Sequence, residues 1–275
     1  MLKNVLICTD LDGTLLRTDK SISERNLCAI ERFKAQGGRF TVVTGRMPST
    51  ARAICEKIRP NAPVGCINGG GLYDFDKNEY VCARSLDKRA FILLEHIVRE
   101  VPDIGIQVNT HDHVYFAKDS AAMEEFRRLT GAPRLMRSYK DIDEPIGKII
   151  FGHLSEEVIE RVAALLSAHE LSGEFDFIRS ERMLYEILPK GVNKGLSVRM
   201  LSEHLGIPRD RIIAVGDYDN DASMLREAGI GIAVANAAET AKRAADIITV
   251  SNDDDAIARV IEDLENGSII IPDFS

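Results

Sequence analysis

Short apolar segments that end at polar or glycine-rich corners recur in the first third of the chain. They span residues 5–9, 40–43 and 64–67, and amphipathic segments lie between them. Ser23 is a predicted N-cap for a helix over 24–35. Strands that alternate with helices at these lengths are typical of βαβ units, so the sequence predicts a parallel sheet.

The last third repeats this alternation. A helix is predicted over 194–205, and strands are predicted over 211–215, 230–234 and 247–250. The acidic run 252–255 is expected to cap the first turn of a final helix rather than to bind a partner. Both ends of the chain therefore contribute to one α/β unit.

The middle of the chain has a different pattern, because its strands follow one another without a helix between every pair. The predicted strands span 105–109, 114–116, 146–153 and 183–188, and the predicted helices span 88–100, 121–130 and 156–169. This pattern favours an antiparallel sheet with helices on one face. A chain of 275 residues is long enough for two domains. We expect an α/β core of 1–83 and 190–275, with an α+β domain of 84–189 inserted into it.

Composition excludes several functions. The 35 Lys and Arg residues against 43 Asp and Glu residues give a net charge of −8, and no basic cluster is interleaved with aromatic residues. We therefore expect no nucleic-acid partner. No apolar segment approaches a membrane span, and no signal-peptide segment follows the start. Five widely spaced cysteines without a CxxC pair are typical of reduced thiols, so a cytoplasmic location is predicted.

The first polar corner carries two aspartates directly after an apolar segment. It reads Asp10-Leu11-Asp12-Gly13-Thr14, and at strand spacing both carboxylates point to the same side. Two carboxylates aimed at one point repel unless a cation or a shared proton intervenes. Oxygen ligands suit Mg²⁺. The alternative is an ordinary Asx turn after a strand.

A second acidic corner follows the predicted strand 211–215. It runs from Gly216 to Asp221 and contains Asp217, Asp219 and Asn220. Such a cluster either binds a cation or is destabilised by mutual repulsion.

Two further corners carry groups that suit phosphate oxygens. Thr44 and Gly45 end the segment 40–43, where a hydroxyl and an accessible backbone N–H could bind an anion. A helix-capping threonine is the alternative. Lys194 is the first residue of a predicted helix, where the helix dipole disfavours an ammonium, so its presence there suggests a functional role. The alternative is an ordinary surface lysine.

Taken in order, these corners resemble the four motifs of the haloacid dehalogenase (HAD) superfamily. The matching segments are DLDGT at 10–14, TGR at 44–46, NKG at 193–195 and GDxxND at 216–221. The insertion between the second and third motifs is similar to the large cap of the Cof-type sugar-phosphatase branch, and Ile67-Asn68-Gly69-Gly70 also matches that branch. The resemblance covers nearly the whole chain and implies a Rossmannoid core with an inserted cap.

The resemblance also implies a mechanism and roles for individual residues. Asp10 would be the nucleophile that forms an aspartyl-phosphate, and Asp12 would protonate the leaving oxygen and then activate water. Mg²⁺ would be held by the Asp10 carboxylate, the Asp12 backbone carbonyl and Asp217, with Asp221 close by. The residues that would hold the phosphate oxygens are Leu11, Thr44, Gly45, Lys194 and Asn220.

The implied function is a Mg²⁺-dependent phosphatase for small phosphorylated metabolites, with sugar phosphates favoured. Two alternatives stay open: a phosphosugar mutase with the same covalent chemistry, and a regulatory module whose aspartate is phosphorylated as a signal. Tyr218 and Asp219 fill the variable positions of the fourth motif and remove no expected catalytic group. The substrate would be selected by the cap, where His111 and His113 are interpreted as part of a polar turn.

Overall fold

The computed structural model describes residues 2–271, which form two compact units. The core unit comprises the described residues up to Gly45, Ala53–Cys82 and the described residues from Asn193 onward. The inserted unit comprises Arg46–Arg52 and Ala83–Val192. The sequence predicted boundaries near Ala83 and Pro189 and did not assign 46–52 to the insertion. The role of 84–189 as a substrate-specificity domain stays a prediction.

The strands are β1 (Leu6–Thr9), β2 (Arg39–Val42), β3 (Val64–Cys66), β4 (Gly71–Asp74), β5 (Glu79–Ala83), β6 (Gly105–Thr110), β7 (Val114–Lys118), β8 (Leu135–Met136), β9 (Ile146–Gly152), β10 (Phe175–Glu181), β11 (Leu184–Pro189), β12 (Ile212–Gly216), β13 (Ile230–Ala233) and β14 (Ile247–Ile248). The α-helices are α1 (Glu24–Ala35), α2 (Pro48–Ile58), α3 (Ala90–Glu100), α4 (Ala121–Thr130), α5 (Glu156–Ala168), α6 (Lys194–Leu205), α7 (Ala222–Glu227), α8 (Glu239–Ala244) and α9 (Ala256–Glu265). Among the described residues, no helix has the length and apolar character that crossing a membrane requires.

The core unit is built on a five-stranded parallel sheet in the order β14-β13-β12-β1-β2. Every residue of β1 and β12 is buried, which is expected for central strands whose two faces are both covered. Ser23 caps α1 as predicted, since its side chain accepts a hydrogen bond from the Asn26 N–H. The expected α/β class, with a parallel-sheet core and an inserted α+β unit, is confirmed.

A second, three-stranded sheet in the order β3-β4-β5 extends the core unit. The sequence predicted only its first strand. A 3₁₀ turn over Ile67–Gly69 joins β3 to β4, and both strands pair in antiparallel register.

The inserted unit contains a six-stranded sheet in the order β10-β11-β9-β6-β7-β8. Its pairs are antiparallel, apart from the parallel pair of β7 and β8. Alternate residues of these strands, among them Val108, Ile149 and Ile187, form one hydrophobic core with Leu94 of α3 and Val162 of α5. These two helices therefore cover one face of the sheet.

The third helix of the inserted unit corrects the expectation that all helices share one face. Gly105 and Gly152 face each other across β6 and β9, on the side opposite to Val108 and Ile149. A Cβ at Gly152 would lie 2.2 Å from the methyl carbon of Met123 in α4. Helix α4 therefore packs on the opposite face, where two glycines make room for it.

Candidate active site

The carboxyl ends of three neighbouring strands meet at one edge of the core sheet. Thr9, the last residue of β1, is paired with Val42 of β2 and with Val215 of β12. Asp10 follows β1 directly, Thr44 follows β2 by two residues and Asp217 follows β12 directly. This edge is where open parallel sheets bind ligands, so the fold brings three of the four polar corners together.

The fourth corner contributes Lys194, the first residue of α6. Asn193 caps this helix by accepting a hydrogen bond from the Leu196 N–H, which fixes the position of the lysine that follows. The Nζ of Lys194 lies 2.6 Å from Oδ1 of Asp10 and 2.5 Å from Oδ1 of Asp221. Because its side chain is only 1% exposed, Lys194 is a buried cation held between two acidic motifs.

Backbone and hydroxyl groups fix the remaining carboxylates. Oδ2 of Asp221 accepts hydrogen bonds from the backbone N–H groups of Asp217 and Tyr218. The hydroxyl of Thr14 donates to Oδ1 of Asp217 at 2.7 Å. Gly13 is required beside them, because a Cβ at that position would lie 2.4 Å from Oδ2 of Asp217 and its φ is +86°. The first and fourth motifs therefore contact each other directly.

The electrostatics of this cluster are unbalanced. Burial raises the pKa of Asp10 to about 7 even though Lys194 opposes the shift. Burial, with the nearby charges of Asp221 and Asp10, raises the pKa of Asp217 to about 8. Burial alone would lower the pKa of Lys194, but the two carboxylates beside it outweigh that effect and raise it above its usual value. When its three carboxylates are ionised, the site therefore holds more negative charge than its one ammonium neutralises.

This donor set fits a divalent metal ion. Asp10, Asp217 and Asp221 each offer a carboxylate oxygen, and these atoms lie within 4.8 Å of one another. Oxygen-only ligands suit Mg²⁺, and a cation would relieve the repulsion that adds to the effect of burial in raising the pKa values of Asp10 and Asp217. A buried acidic cluster of this kind is thus a candidate metal site.

Asp12 is placed differently from the other acidic residues of the motifs. Its carboxylate accepts a hydrogen bond at 2.8 Å from Nζ of Lys20. Its assignments as acid, base and metal ligand stay predictions. Leu11 is fully buried, and its carbonyl accepts a hydrogen bond from the Leu16 N–H. Nothing in the sequence pattern singled out Lys20, because its contact with Asp12 depends on the conformation of the loop between them.

The predicted phosphate-binding residues Thr44, Gly45 and Asn220 meet at a residue to which the sequence assigned no role. Asn68, in the 3₁₀ turn between β3 and β4, donates its backbone N–H to the Thr44 carbonyl at 3.1 Å. Its Oδ1 accepts a hydrogen bond from the Asn220 side chain at 3.1 Å. Its carboxamide also packs against Gly45. The only sequence signal was the INGG segment, which matched the family without a stated function.

The expectation that the acidic run 252–255 caps the final helix is wrong: Asp255 precedes α9 but makes no capping hydrogen bond through its side chain. The carboxylates of the run bind the loop after the first motif instead. Asp253 accepts hydrogen bonds from the backbone N–H and hydroxyl of Thr18, and Asp255 pairs with Arg17 at 2.7 Å. These contacts fasten the loop that follows the first motif. Outside the core unit, Nδ1 of His113 donates a hydrogen bond to the Glu144 carboxylate at 2.8 Å, which is consistent with the predicted polar turn.

Comparison with known proteins identifies the class. A family model described as haloacid dehalogenase-like hydrolase matches residues 7–261. The chain is 30% identical over 273 residues to the 5-amino-6-(5-phospho-D-ribitylamino)uracil phosphatase YitU of Bacillus subtilis, covering 95% of this chain and 97% of that one. Another B. subtilis phosphatase with the same stated substrate, YcsE, is 27% identical and covers 93% of this chain and 94% of that one.

A solved structure agrees with this result. The crystal structure of a haloacid dehalogenase-like hydrolase from Bacteroides thetaiotaomicron has a TM-score of 0.82 and 29% sequence identity, and the match covers 94% of this chain and 99% of that chain. The chain belongs to the haloacid dehalogenase-like hydrolase family. Within that family it is a phosphatase, and the resemblance inferred from its four motifs is confirmed.

Proposed function

We propose that this protein is a Mg²⁺-dependent phosphatase that hydrolyses phosphomonoesters of small metabolites through an aspartyl-phosphate on Asp10. The observation that carries the proposal is the buried cluster of Asp10, Asp217 and Asp221 around Lys194. The excess negative charge of this cluster favours binding of a divalent cation. A phosphate group bound beside that cation would contact both Lys194 and the carboxylate of Asp10.

Asp10 is the proposed nucleophile because it lies at the end of β1, an interior strand of the core sheet, beside a buried ammonium. Lys194 favours the ionised carboxylate, which is the reactive form. A carboxylate oxygen of Asp10 forms a bond to phosphorus while the bond from phosphorus to the leaving oxygen breaks. Water then attacks phosphorus, the bond to Asp10 breaks, and inorganic phosphate is released.

Asp12 is the proposed acid and base. In the first step it gives its proton to the leaving oxygen, and in the second it accepts a proton from the attacking water. The Asp12 side chain is about one-quarter exposed, at 26%, in contrast to the buried Asp10, so it is open to both a leaving group and water.

Mg²⁺ would be held by Asp10 and Asp217, with Asp221 nearby and the Asp12 carbonyl as a further ligand, and when bound it would neutralise charge on the phosphoryl oxygens. The chain's own groups would also hold those oxygens. Lys194 supplies a positive charge, and Thr44, the Gly45 N–H, the Leu11 backbone and Asn220 supply hydrogen bonds.

The proposed substrates are phosphate esters of sugars or sugar alcohols. Two relatives that match nearly the whole chain are named for a substrate that carries a phosphorylated ribityl group. The names of these relatives favour hydrolysis over a mutase or a phospho-aspartate signalling module. We also propose a cytoplasmic enzyme, a location supported by five cysteines that are all free.

The test is phosphate release from a panel of sugar phosphates, sugar-alcohol phosphates, nucleotides and an aryl phosphate. It includes 5-amino-6-(5-phospho-D-ribitylamino)uracil and is run with Mg²⁺ and with chelator. We expect metal-dependent release that Asp10→Asn lowers by about 10³-fold or more. The carboxamide keeps the shape of the side chain, so the variant should stay folded.

Three results would contradict the proposal. Near-native turnover by a folded Asp10→Asn variant would remove Asp10 as nucleophile. Phosphate release that persists in chelator would show that the reaction does not require a metal ion. A long-lived phosphoenzyme without release of phosphate would favour the signalling module.

A further inference from the structure

The turn between β3 and β4 has an unusual backbone. Ile67, Asn68 and Gly69 follow one another with φ values of +57°, +52° and +99°. Glycine adopts such values readily and asparagine tolerates them, but a β-branched residue such as Ile67 is an outlier there. Ile67 and Asn68 are also fully buried. Strain of this kind persists only where surrounding contacts hold it, and it concentrates at functional sites.

The contacts that hold the turn come from the phosphate-binding loops. Asn68 is bound to the Thr44 carbonyl through its backbone and to the Asn220 side chain through Oδ1. A Cβ at Gly45 would lie 3.0 Å from the same Oδ1, so the carboxamide is seated closely against that glycine.

The next residue of the turn reaches the third motif. A Cβ at Gly69 would lie 1.9 Å from the carbonyl oxygen of Asn193, the residue that caps α6 in front of Lys194. The second, third and fourth motifs therefore all contact one buried turn of three residues, although they are far apart in the sequence.

We propose that Asn68 is a positioning residue, which fixes Asn220 and the Thr44–Gly45 peptide in the arrangement that binds phosphate. Its side chain acts through Asn220, whose amide it orients by accepting one hydrogen bond. The left-handed backbone at Ile67 and Asn68 is what brings that side chain to Asn220 and Gly45. This inference rests on the proposed function, because it assigns a role at the same phosphate site.

Asn68→Gly is a sharp test because glycine adopts the φ of this position without strain. The variant relaxes the backbone but removes one buried hydrogen bond, and because these effects oppose each other we expect an unfolding temperature close to that of the wild-type protein. We also expect the dissociation constant of inorganic phosphate, measured by calorimetry on the Mg²⁺-loaded protein, to rise about tenfold, the usual effect of one lost hydrogen bond.

Asn61→Gly is the matched control. Asn61 also bonds backbone groups of the core unit, the Phe40 N–H and the Gly38 carbonyl, but it lies at the other end of β2. Its replacement should lower the unfolding temperature and leave phosphate affinity unchanged. An Asn68→Gly variant that behaves in this way, with a lower unfolding temperature and unchanged affinity, would show a structural role and overturn the proposal.

A double-mutant cycle tests the route through Asn220. If Asn68 acts by orienting Asn220, Asn68→Gly should weaken phosphate binding much less in an Asn220→Ala background than in the wild-type background. If the fold-changes in the phosphate dissociation constant caused by the two substitutions multiply fully in the double variant, the proposal is overturned, whatever the stability of the variants. Because calorimetry with phosphate needs no turnover, failure of this inference is distinct from failure of the phosphatase mechanism, which would appear as wild-type inactivity on the substrate panel.

Discussion

Each unit of the molecule buries a lysine against acidic groups, but with different balance. In the core unit, Lys194 pairs with Asp10 and Asp221, and Asp217 completes the acidic cluster. In the inserted unit, Lys148 binds both carboxylate oxygens of a single glutamate, Glu186, at 2.9 and 2.8 Å. The core cluster is therefore negative, whereas the inserted pair is neutral.

The difference shows what each cluster can do. Burial, together with repulsion between the carboxylates, raises the pKa values of Asp10 and Asp217, so the core cluster favours the binding of a cation. A neutral, mutually bound pair has no such preference, because each charge already has its partner. The balance of charges, rather than the presence of buried charge, is what distinguishes the candidate metal site.

The largest expected effect on stability comes from breaking the neutral pair. Lys148→Met leaves Glu186 without its ammonium in a position where the two side chains are only 3% and 2% exposed. We expect a loss of about 3–5 kcal/mol in the free energy of unfolding, measured by urea titration with circular dichroism.

The double variant Lys148→Met/Glu186→Leu should recover most of this loss, since no charge then stays buried. Lys88→Met is the control, because Lys88 lies 3.8 Å from Asp143 and both side chains are well exposed. A Lys148→Met variant as stable as Lys88→Met would show that the buried pair contributes nothing.

A smaller effect is expected when Mg²⁺ is added, and it depends on pH. In the folded apoprotein the pKa values of Asp10 and Asp217 are about 7 and 8, above their ordinary value of 3.8. The folded state therefore binds more protons than the unfolded state between about pH 4 and pH 8, so the apoprotein loses stability as pH rises through that range. Mg²⁺ competes with those protons.

We accordingly expect Mg²⁺ to raise the unfolding temperature more at pH 8.5 than at pH 6. At a hundredfold excess over its dissociation constant the stabilisation is about 3 kcal/mol. Calorimetric scans at constant ionic strength measure it, and Asp217→Asn should reduce both the metal effect and the pH dependence. An equal shift at both pH values would argue against binding at these carboxylates.

The smallest effect concerns Glu144 in the inserted unit, where hydrogen bonds rather than repulsion set the protonation. Burial would raise the pKa of Glu144, but hydrogen bonds from His113, Tyr115 and Thr110 outweigh it and lower the pKa to about 2. This stabilisation is complete above the ordinary pKa of 4.5 and is lost as pH falls through about 2.

Glu144→Gln should therefore cost about 1 kcal/mol at pH 7, after allowance for solvent screening of a partly exposed group. The difference from the wild-type protein should shrink when urea unfolding is repeated at pH 3. The exposed Glu170 supplies the control variant, Glu170→Gln, which should change little. A cost for Glu144→Gln that is equal at both pH values would contradict the assignment.

Local patterns predicted many elements of this fold because they act over a few residues. The helix over 24–35 has its predicted bounds, and α4 matches the prediction over 121–130, since a capping serine precedes each. Strand β10 was missed because its residues show no clear alternation, and the position of α4 depended on two glycines that become neighbours only when β6 and β9 pair.

The candidate site follows the same rule. Residues that share a short motif, such as Asp10 and Asp217, could be proposed from the sequence because their chemistry is visible in their own segment. The roles of Asn68 and Lys20 could not, because each depends on a left-handed backbone and on a partner from another part of the chain or loop. Backbone strain leaves no trace in composition or periodicity.

The pairing of β1 with β12 also governs the order in which the molecule can be made. Leu6 of β1 pairs with Ile212 of β12, so one neighbour of β1 in the core sheet is synthesised much later than β1 itself. The stretch Ala83–Val192, by contrast, is continuous and complete before β12 is synthesised. During translation the inserted unit is therefore the first to have all its strands, and the loops that hold phosphate come together only after both ends of the core have emerged.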